Sequence, residues 1–270
     1  MNRTAFRDLV ARRPVFLDGS TGVELLKLGL PAGACPEKWA ADNPDAIQAI
    51  HRAYAEAGSD IILACTFGAN RLKLADHGLA DLTHDINREL IRIGRAAVGD
   101  AMLFGDLSPT GRLVEPFGDL PFEEAVDIYR EQAEALLAGG VDGFMIETMI
   151  DIQEARAALL AVRSLAPDHP ILVSMTYDAD GRTIAGAVPA AALVTLQALG
   201  ADAVGMNCST GPDEMLALLG DSLPFARVPL LVKPNAGMPE TTDGCGLHYP
   251  LDSETFADFM SRFAAMGIRL

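Results

Sequence analysis

Short apolar runs alternate with amphipathic segments along the whole chain. The runs cover residues 15–17, 61–64, 102–104, 144–146, 171–173, 203–204 and 230–232. Between them, apolar residues recur at helical spacing over 44–57, 122–138, 152–165, 190–199 and 253–266. Strands that alternate with helices build βαβ units and a parallel sheet. Seven strands in this order point to a (β/α)8 barrel more than to a doubly wound sheet. No Gly-x-Gly-x-x-Gly phrase follows the first run, which weakens a dinucleotide-binding reading.

A weak internal repeat strengthens the barrel. Gly58-Ser59-Asp60, Gly140-Val141-Asp142 and Gly200-Ala201-Asp202 each lead straight into an apolar run. Glycine at this place can close the preceding helix in a left-handed cap. A polar residue follows at a near-constant distance: Cys65 is seven after Gly58, Glu147 seven after Gly140, and Cys208 eight after Gly200. Gly267-Ile268-Arg269-Leu270 begins the phrase again, and the chain given ends three residues past that glycine. The expectation is one barrel domain over 1–270, lacking most of strand eight and helix eight. Open edges on strands one and seven would invite association with another chain, so an oligomer is expected.

In a parallel α/β protein, the residues at the C-terminal ends of strands carry the chemistry. Strand six delivers Asn207-Cys208-Ser209-Thr210-Gly211 ahead of a helix. A thiolate there is a candidate nucleophile or metal ligand, and a buried inert cysteine is the alternative. Strand one delivers Asp18-Gly19-Ser20-Thr21-Gly22, where exposed amides before a helix suit a carboxylate or phosphate. An ordinary Asp-capped turn is the competing reading. Glu147 at the end of strand four can bind an ammonium or act as a base, or be a solvated acid at a helix start. Strand seven delivers Lys233-Pro234-Asn235-Ala236-Gly237. The set suits a small zwitterion and a soft metal. Cys35 fits packing around Trp39, and Cys245 sits in a loop. The five histidines form no HxxxH or HExxH pattern, which argues against a histidine-built zinc site.

Charge narrows the partners. Lys plus Arg is 21 and Asp plus Glu is 37, a formal charge of −16. That balance argues against nucleic acid and anionic membranes. Four widely spaced cysteines among 270 residues make no disulfide framework and suit a reducing compartment. There is no membrane-length apolar stretch and no secretory leader at the start, so cytoplasm is the expected location.

The strand ends together resemble the homocysteine S-methyltransferase family. The matching phrases include Phe16-Leu17-Asp18-Gly19-Ser20-Thr21-Gly22, Thr66-Phe67-Gly68-Ala69-Asn70, Gly105-Asp106-Leu107-Ser108-Pro109-Thr110-Gly111, Ile146-Glu147-Thr148, Gly205-Met206-Asn207-Cys208 and Lys233-Pro234-Asn235-Ala236-Gly237. They run in order across nearly the whole chain. They are most similar to the branch formed by the N-terminal homocysteine-binding domains of cobalamin-dependent methionine synthases. The resemblance implies a zinc ion held by three cysteines. One matches Cys208, and the other two form an adjacent pair after strand eight, beyond Leu270. It also implies that Asp18 and Glu147 hold the ammonium of homocysteine. The turn of Gly19, Ser20 and Thr21 would receive the carboxylate, with Asn207 beside them and Asn235 near the metal. Zinc would deprotonate the substrate thiol, which would take a methyl group from methylcobalamin on a separate corrinoid module, with a folate-binding module as a further partner. Cys65 departs from the family pattern. Two alternatives stay open: a relative with another donor or thiol acceptor, and a zinc-free binding protein of a corrinoid system.

Overall fold

A computed structural model describes residues 1–238, 240–242 and 246–270. Six strands form one parallel sheet in sequential order: β1 (Ile61–Leu63), β2 (Met102–Leu107), β3 (Gly143–Met149), β4 (Ile171–Met175), β5 (Ala203–Asn207) and β6 (Leu230–Lys233). A separate antiparallel pair, β7 (Glu240–Thr242) and β8 (Gly246–His248), follows. Helices cover the sheet's outer face: α4 (Pro44–Glu56), α6 (Thr83–Arg95), α7 (Phe122–Gly139), α8 (Ile152–Leu165), α9 (Pro189–Ala198), α10 (Pro212–Ser222) and α11 (Ser253–Ala265), with the short α5 (Arg71–Ala75) between α4 and α6 in the chain. The helices expected from apolar spacing agree with these within two residues at each end. Cys245 lies outside the described residues.

The curled sheet has two apolar faces, which is why its strands read as unbroken apolar runs. Ile62, Leu103, Phe144, Val173, Val204 and Leu230 face outward and pack against helix residues such as Leu136, Leu159 and Leu196. Ile61, Leu63, Phe104, Met145, Leu172, Ala203 and Leu231 face inward and fill the lower interior. The inward phase then changes character. Two residues beyond Phe104 stands Asp106, two beyond Met145 stands Glu147, and two beyond Leu231 stands Lys233. The period of two carries each strand from an apolar floor to a polar mouth.

The floor is closed by α1 (Arg3–Arg12), an element that strand counting does not predict. Phe6 and Val10 lie on one helical face, both are fully buried, and the Phe6 ring lies 6.2 Å from that of Phe104. Asn2 caps the helix by accepting from the Ala5 amide at 2.9 Å.

The repeated Gly-x-Asp phrase does two jobs at this end. Gly58, Gly140, Gly200 and Gly267 all have φ between 88° and 100°, the left-handed conformation that stops a helix at low steric cost. The Asp two positions on accepts a backbone N–H from the start of a neighbouring apolar run: Asp60 from Phe16, Asp142 from Leu103 and Asp202 from Ile171, at 2.9, 2.9 and 3.0 Å. Each of these acids is also paired with arginine. Arg13 meets Asp60 and Arg95 meets Asp142, while Arg3, Arg7 and Arg163 converge on the fully buried Asp202. In the fourth phrase Arg269 stands where the acid would be.

Two expectations need correction. The run at 15–17 forms no regular strand and joins β1 through an isolated Leu17–Ile61 bridge. Its edge is also not left open. The Val15 amide donates to the Arg269 carbonyl at 2.8 Å, and the Val232 amide donates to the Leu270 carbonyl at 3.0 Å. Leu270 N in turn donates to Leu230 O at 3.2 Å. The backbone of 269–270 thus links the first run to β6 at the floor, because even a two-residue stub offers the amides and carbonyls an edge needs. Among the described residues no helix is long and apolar enough to cross a membrane.

Candidate active site at the mouth of the barrel

Asp18 sits just past the first run and is 5% exposed; its Oδ2 accepts from the Leu63 amide at 2.9 Å. Gly19 and Ser20 are exposed beside it. The turn passes so close to α4 that a Cβ on Gly19 would lie 2.7 Å from the Tyr54 hydroxyl oxygen, so a larger residue there would have to displace the Tyr54 ring. Ser20 caps the short α2 (Thr21–Lys27), its Oγ accepting from Val23 N at 3.3 Å.

Glu147 at the end of β3 is 8% exposed and pairs with Lys233 of β6, Nζ to Oε2 at 3.0 Å. Burial alone would lower the Lys233 pKa, but Glu147, Asp18 and Asp106 together outweigh it and raise it above the ordinary value. The converse holds for the acids. Burial pushes Asp18 up to about 7 against the pull of Lys233 and the Leu63 amide. Asp106 is raised well above its ordinary value, first by burial and then by Glu147. Three carboxylates thus surround one ammonium.

Asn207 ties the strand ends together. Its Oδ1 accepts from Thr148 N at 2.9 Å and from Ser174 Oγ at 2.6 Å. Its Nδ2 donates to Thr148 Oγ1 at 2.8 Å and to Cys208 Sγ at 3.2 Å. It is 2% exposed, so its amide organises β3, β4 and β5 around the thiol. Thr148, Cys208 and Ser209 have φ of 62°, 59° and 60°. Non-glycine residues in that region are uncommon and store strain of about 1–3 kcal/mol each, mostly at functional sites. The Cys208 thiol is half-buried, and burial followed by Glu147 raises its pKa.

The other candidates lie apart from this cluster or at its edge. Asn235 is half-buried in the segment after β6. Cys65 is buried in the core formed with Cys35, Leu74 and Leu90. Burial holds its thiol well above the ordinary value. Cys35 donates its S–H to the Glu37 carboxylate at 3.5 Å. Among the described residues no group of three His, Cys, Asp or Glu could hold a metal ion. The described residues alone therefore do not assemble a three-ligand zinc site.

The cluster brings together Asp18, Glu147, Asn207 and Cys208, with Ser20 and Thr21 on the adjoining turn. It adds Asp106 and Lys233, which stand in the strand-end phrases of the sequence but were given no role of their own there. Their signal was present in the sequence. Each lies two residues past a barrel-facing apolar residue, in phase with Glu147.

The family model described as homocysteine S-methyltransferase matches residues 15–270. Methionine synthase of Mycobacterium leprae (strain TN) is 32% identical over 279 aligned positions, covering 97% of this chain and 23% of that protein. Methionine synthase of Mycobacterium tuberculosis (strain ATCC 25618 / H37Rv) is 31% identical with the same coverage. The chain therefore spans about a quarter of the length of these curated relatives. The metallated form of the homocysteine methyltransferase MmuM from Escherichia coli shares the fold, with a TM-score of 0.80 at 22% identity, covering 98% of this chain and 93% of that one.

Proposed function

This chain belongs to the homocysteine S-methyltransferase family, and from that premise we propose that its barrel mouth binds homocysteine and presents the thiol for methylation to methionine. The observation that carries the reading is the mouth itself: buried carboxylates gathered round a single ammonium, with a thiol of the same chain alongside. The ammonium of an amino acid suits the carboxylate cluster that contains Asp18 and Glu147. Its carboxylate suits the amides of the turn at Gly19, Ser20 and Thr21, the part of the mouth that carries no acidic side chain. A substrate held by both charged groups of its α-carbon leaves its thiol end free to reach toward Cys208. In the reaction the S–H bond breaks with its proton passing to solvent, and the sulfur's electron pair forms the S–CH3 bond as the bond between methyl and donor breaks, its electron pair leaving with the donor.

Methylcobalamin on a separate corrinoid module is the proposed donor, with a folate-binding module as a further partner and the cytoplasm as the location. Cys208 would be one ligand of a zinc ion, with Asn235 near it. A second reading is a zinc-free binding role. In that reading the mouth binds the amino acid without activating it.

Methyl transfer separates the two readings. Purified chain is incubated with homocysteine and methylcobalamin, with and without added zinc, and methionine is quantified against a Cys208→Ala variant. Methionine formed by the wild type and lost in the variant supports methyl transfer. Tight homocysteine binding with no methionine above the protein-free rate leaves the binding reading. Neither binding nor turnover refutes both.

A further inference from the structure

The turn of Gly19, Ser20 and Thr21 is braced by a residue on a helix. Tyr54 lies in the last turn of α4 and is half-buried. It packs on the core that includes Leu25 of α2, Ala40 of α3 (Pro36–Asp42) and Ile47 and Ile50 of α4, and on the outer core of the sheet. The far edge of its ring reaches the turn. A Cβ on Gly19 would stand 2.7 Å from the hydroxyl oxygen, 3.0 Å from Cε1 and 3.1 Å from Cζ. The hydroxyl donates to the Ser20 carbonyl oxygen at 3.4 Å. Burial, followed by Glu24 and Asp18, pushes its pKa up to about 12 against the pull of Lys233. At neutral pH it therefore keeps the proton it donates.

The Ser20 carbonyl is diverted from its ordinary partner. The carbonyl of a helix's capping residue accepts the first N–H bond of that helix. At Asn2, Asn70, Asp151 and Asp252 it does so, from the amide four residues on, at 3.0 Å in each case. Among the described residues no backbone N–H donates to the Ser20 carbonyl, which takes the Tyr54 hydroxyl instead. The Ser20–Thr21 peptide is trans. In a trans peptide the carbonyl oxygen and the next N–H point to opposite sides. With the Ser20 oxygen drawn toward α4, the Thr21 N–H points away from it.

We infer that Tyr54 is a positioning residue for substrate binding: its ring and hydroxyl set the Ser20–Thr21 peptide so that the Thr21 amide meets the substrate's carboxylate. This rests on the homocysteine reading above and adds to it a residue that stands at no strand end. The other anchors of the turn lie at its two ends. The Asp18 amide donates to the Ile61 carbonyl at 3.0 Å, and the Val23 amide to Ser20 Oγ at 3.3 Å. Tyr54 alone grips the carbonyl between them. A hydrogen bond accepted by that carbonyl also polarises the peptide and strengthens its N–H as a donor.

The test is calorimetric titration of wild type and Tyr54→Phe with homocysteine and with 3-aminopropanethiol, which lacks only the carboxylate. Tyr54→Phe keeps the ring in the core and removes the donor. It is expected to weaken homocysteine by about threefold to tenfold, the loss of one hydrogen bond, while 3-aminopropanethiol stays within about twofold. A purely structural role would weaken both ligands alike. That result, or no change in either, overturns the positioning role. If Tyr54→Phe does not fold, Gly19→Ala disturbs the same contact from the other side. It should narrow the preference for homocysteine, and an unchanged preference overturns the role. A wild type that binds both thiols equally well also overturns it and leaves homocysteine binding standing. If the wild type binds no homocysteine, the functional reading fails, and 4-mercaptobutanoate, which keeps the carboxylate and lacks the ammonium, then reads the turn alone. Saturable binding that Tyr54→Phe weakens upholds the role, and absent or unchanged binding refutes it.

Discussion

The floor and the mouth of this barrel are both built on buried or half-buried acids, with opposite bookkeeping of charge. At the floor, Asp60, Asp142 and Asp202 each have a strand amide and at least one guanidinium, and Asp202 has three. The Arg13 guanidinium beside Asp60 holds its carboxyl below the ordinary value. Burial works against Asp142, but the Leu103 amide and Arg95 still hold its carboxyl below the ordinary value. At the mouth, Asp18, Asp106 and Glu147 share one lysine, and burial drives Asp18 and Asp106 the other way. Satisfied acids fasten the strands. Under-satisfied acids at the mouth are what the proposed homocysteine site offers to a substrate ammonium.

The largest effect should come from unbalancing the floor. Asp202→Ala leaves the half-buried guanidinium groups of Arg3 and Arg163 without their carboxylate and strips the Ile171 amide of its acceptor. We expect it to lose about 3–5 kcal/mol of stability in chemical denaturation, with ligand affinity of the folded fraction unchanged.

Lys233→Met attacks the mouth and should show its effect through pH. Without that cation, the folded pKa values of Asp18 and Asp106 rise further above the unfolded value of 3.8. A raised acid contributes its stability below the unfolded pKa and loses it as pH rises through the folded one. The variant should therefore match the wild type near about pH 4 and be less stable by about 2–3 kcal/mol near about pH 8.

Asp18→Asn and Asp60→Asn should move in opposite directions. Asp18 is raised from 3.8 to about 7, so its ionisation costs stability as pH rises through about 7. Asp18→Asn should gain about 1–2 kcal/mol near about pH 8, gain little near about pH 4, and weaken homocysteine binding. Asp60 is lowered by Arg13, so its contribution is present above 3.8 and lost as pH falls through its folded value. Asp60→Asn should lose only about 0.5–1 kcal/mol at neutral pH, because the pair is solvent-screened. Parallel pH profiles for the two variants would erase the distinction between the two ends.

Much of this was legible in the residues. The Gly-x-Asp phrase placed the helix stops and strand starts, since a left-handed cap followed by an apolar run leaves little choice of structure. Asp18, Glu147 and Cys208 stood out because polar residues that end apolar runs fall at strand ends. What escaped was set by contacts between distant segments. The amphipathic face of α1 at Phe6 and Val10 shows its partner only once Phe104 lies beneath it. The closing of the first run against β6 depends on backbone groups of Arg269 and Leu270, which no side-chain pattern reports. Lys233 was visible as a residue, but its pairing with Glu147 spans 86 positions. Asn207 stood among the substrate contacts expected from the resemblance. Its burial and four amide contacts give it a supporting place beneath Thr148 and Cys208.

The most direct measurement is titration of the wild-type chain with homocysteine and 4-mercaptobutanoate side by side at neutral pH. A mouth that lacks one positive charge should bind homocysteine at one per chain, about tenfold or more tighter than the analogue without the ammonium. Equal affinity for the two thiols, or binding of neither, would contradict it.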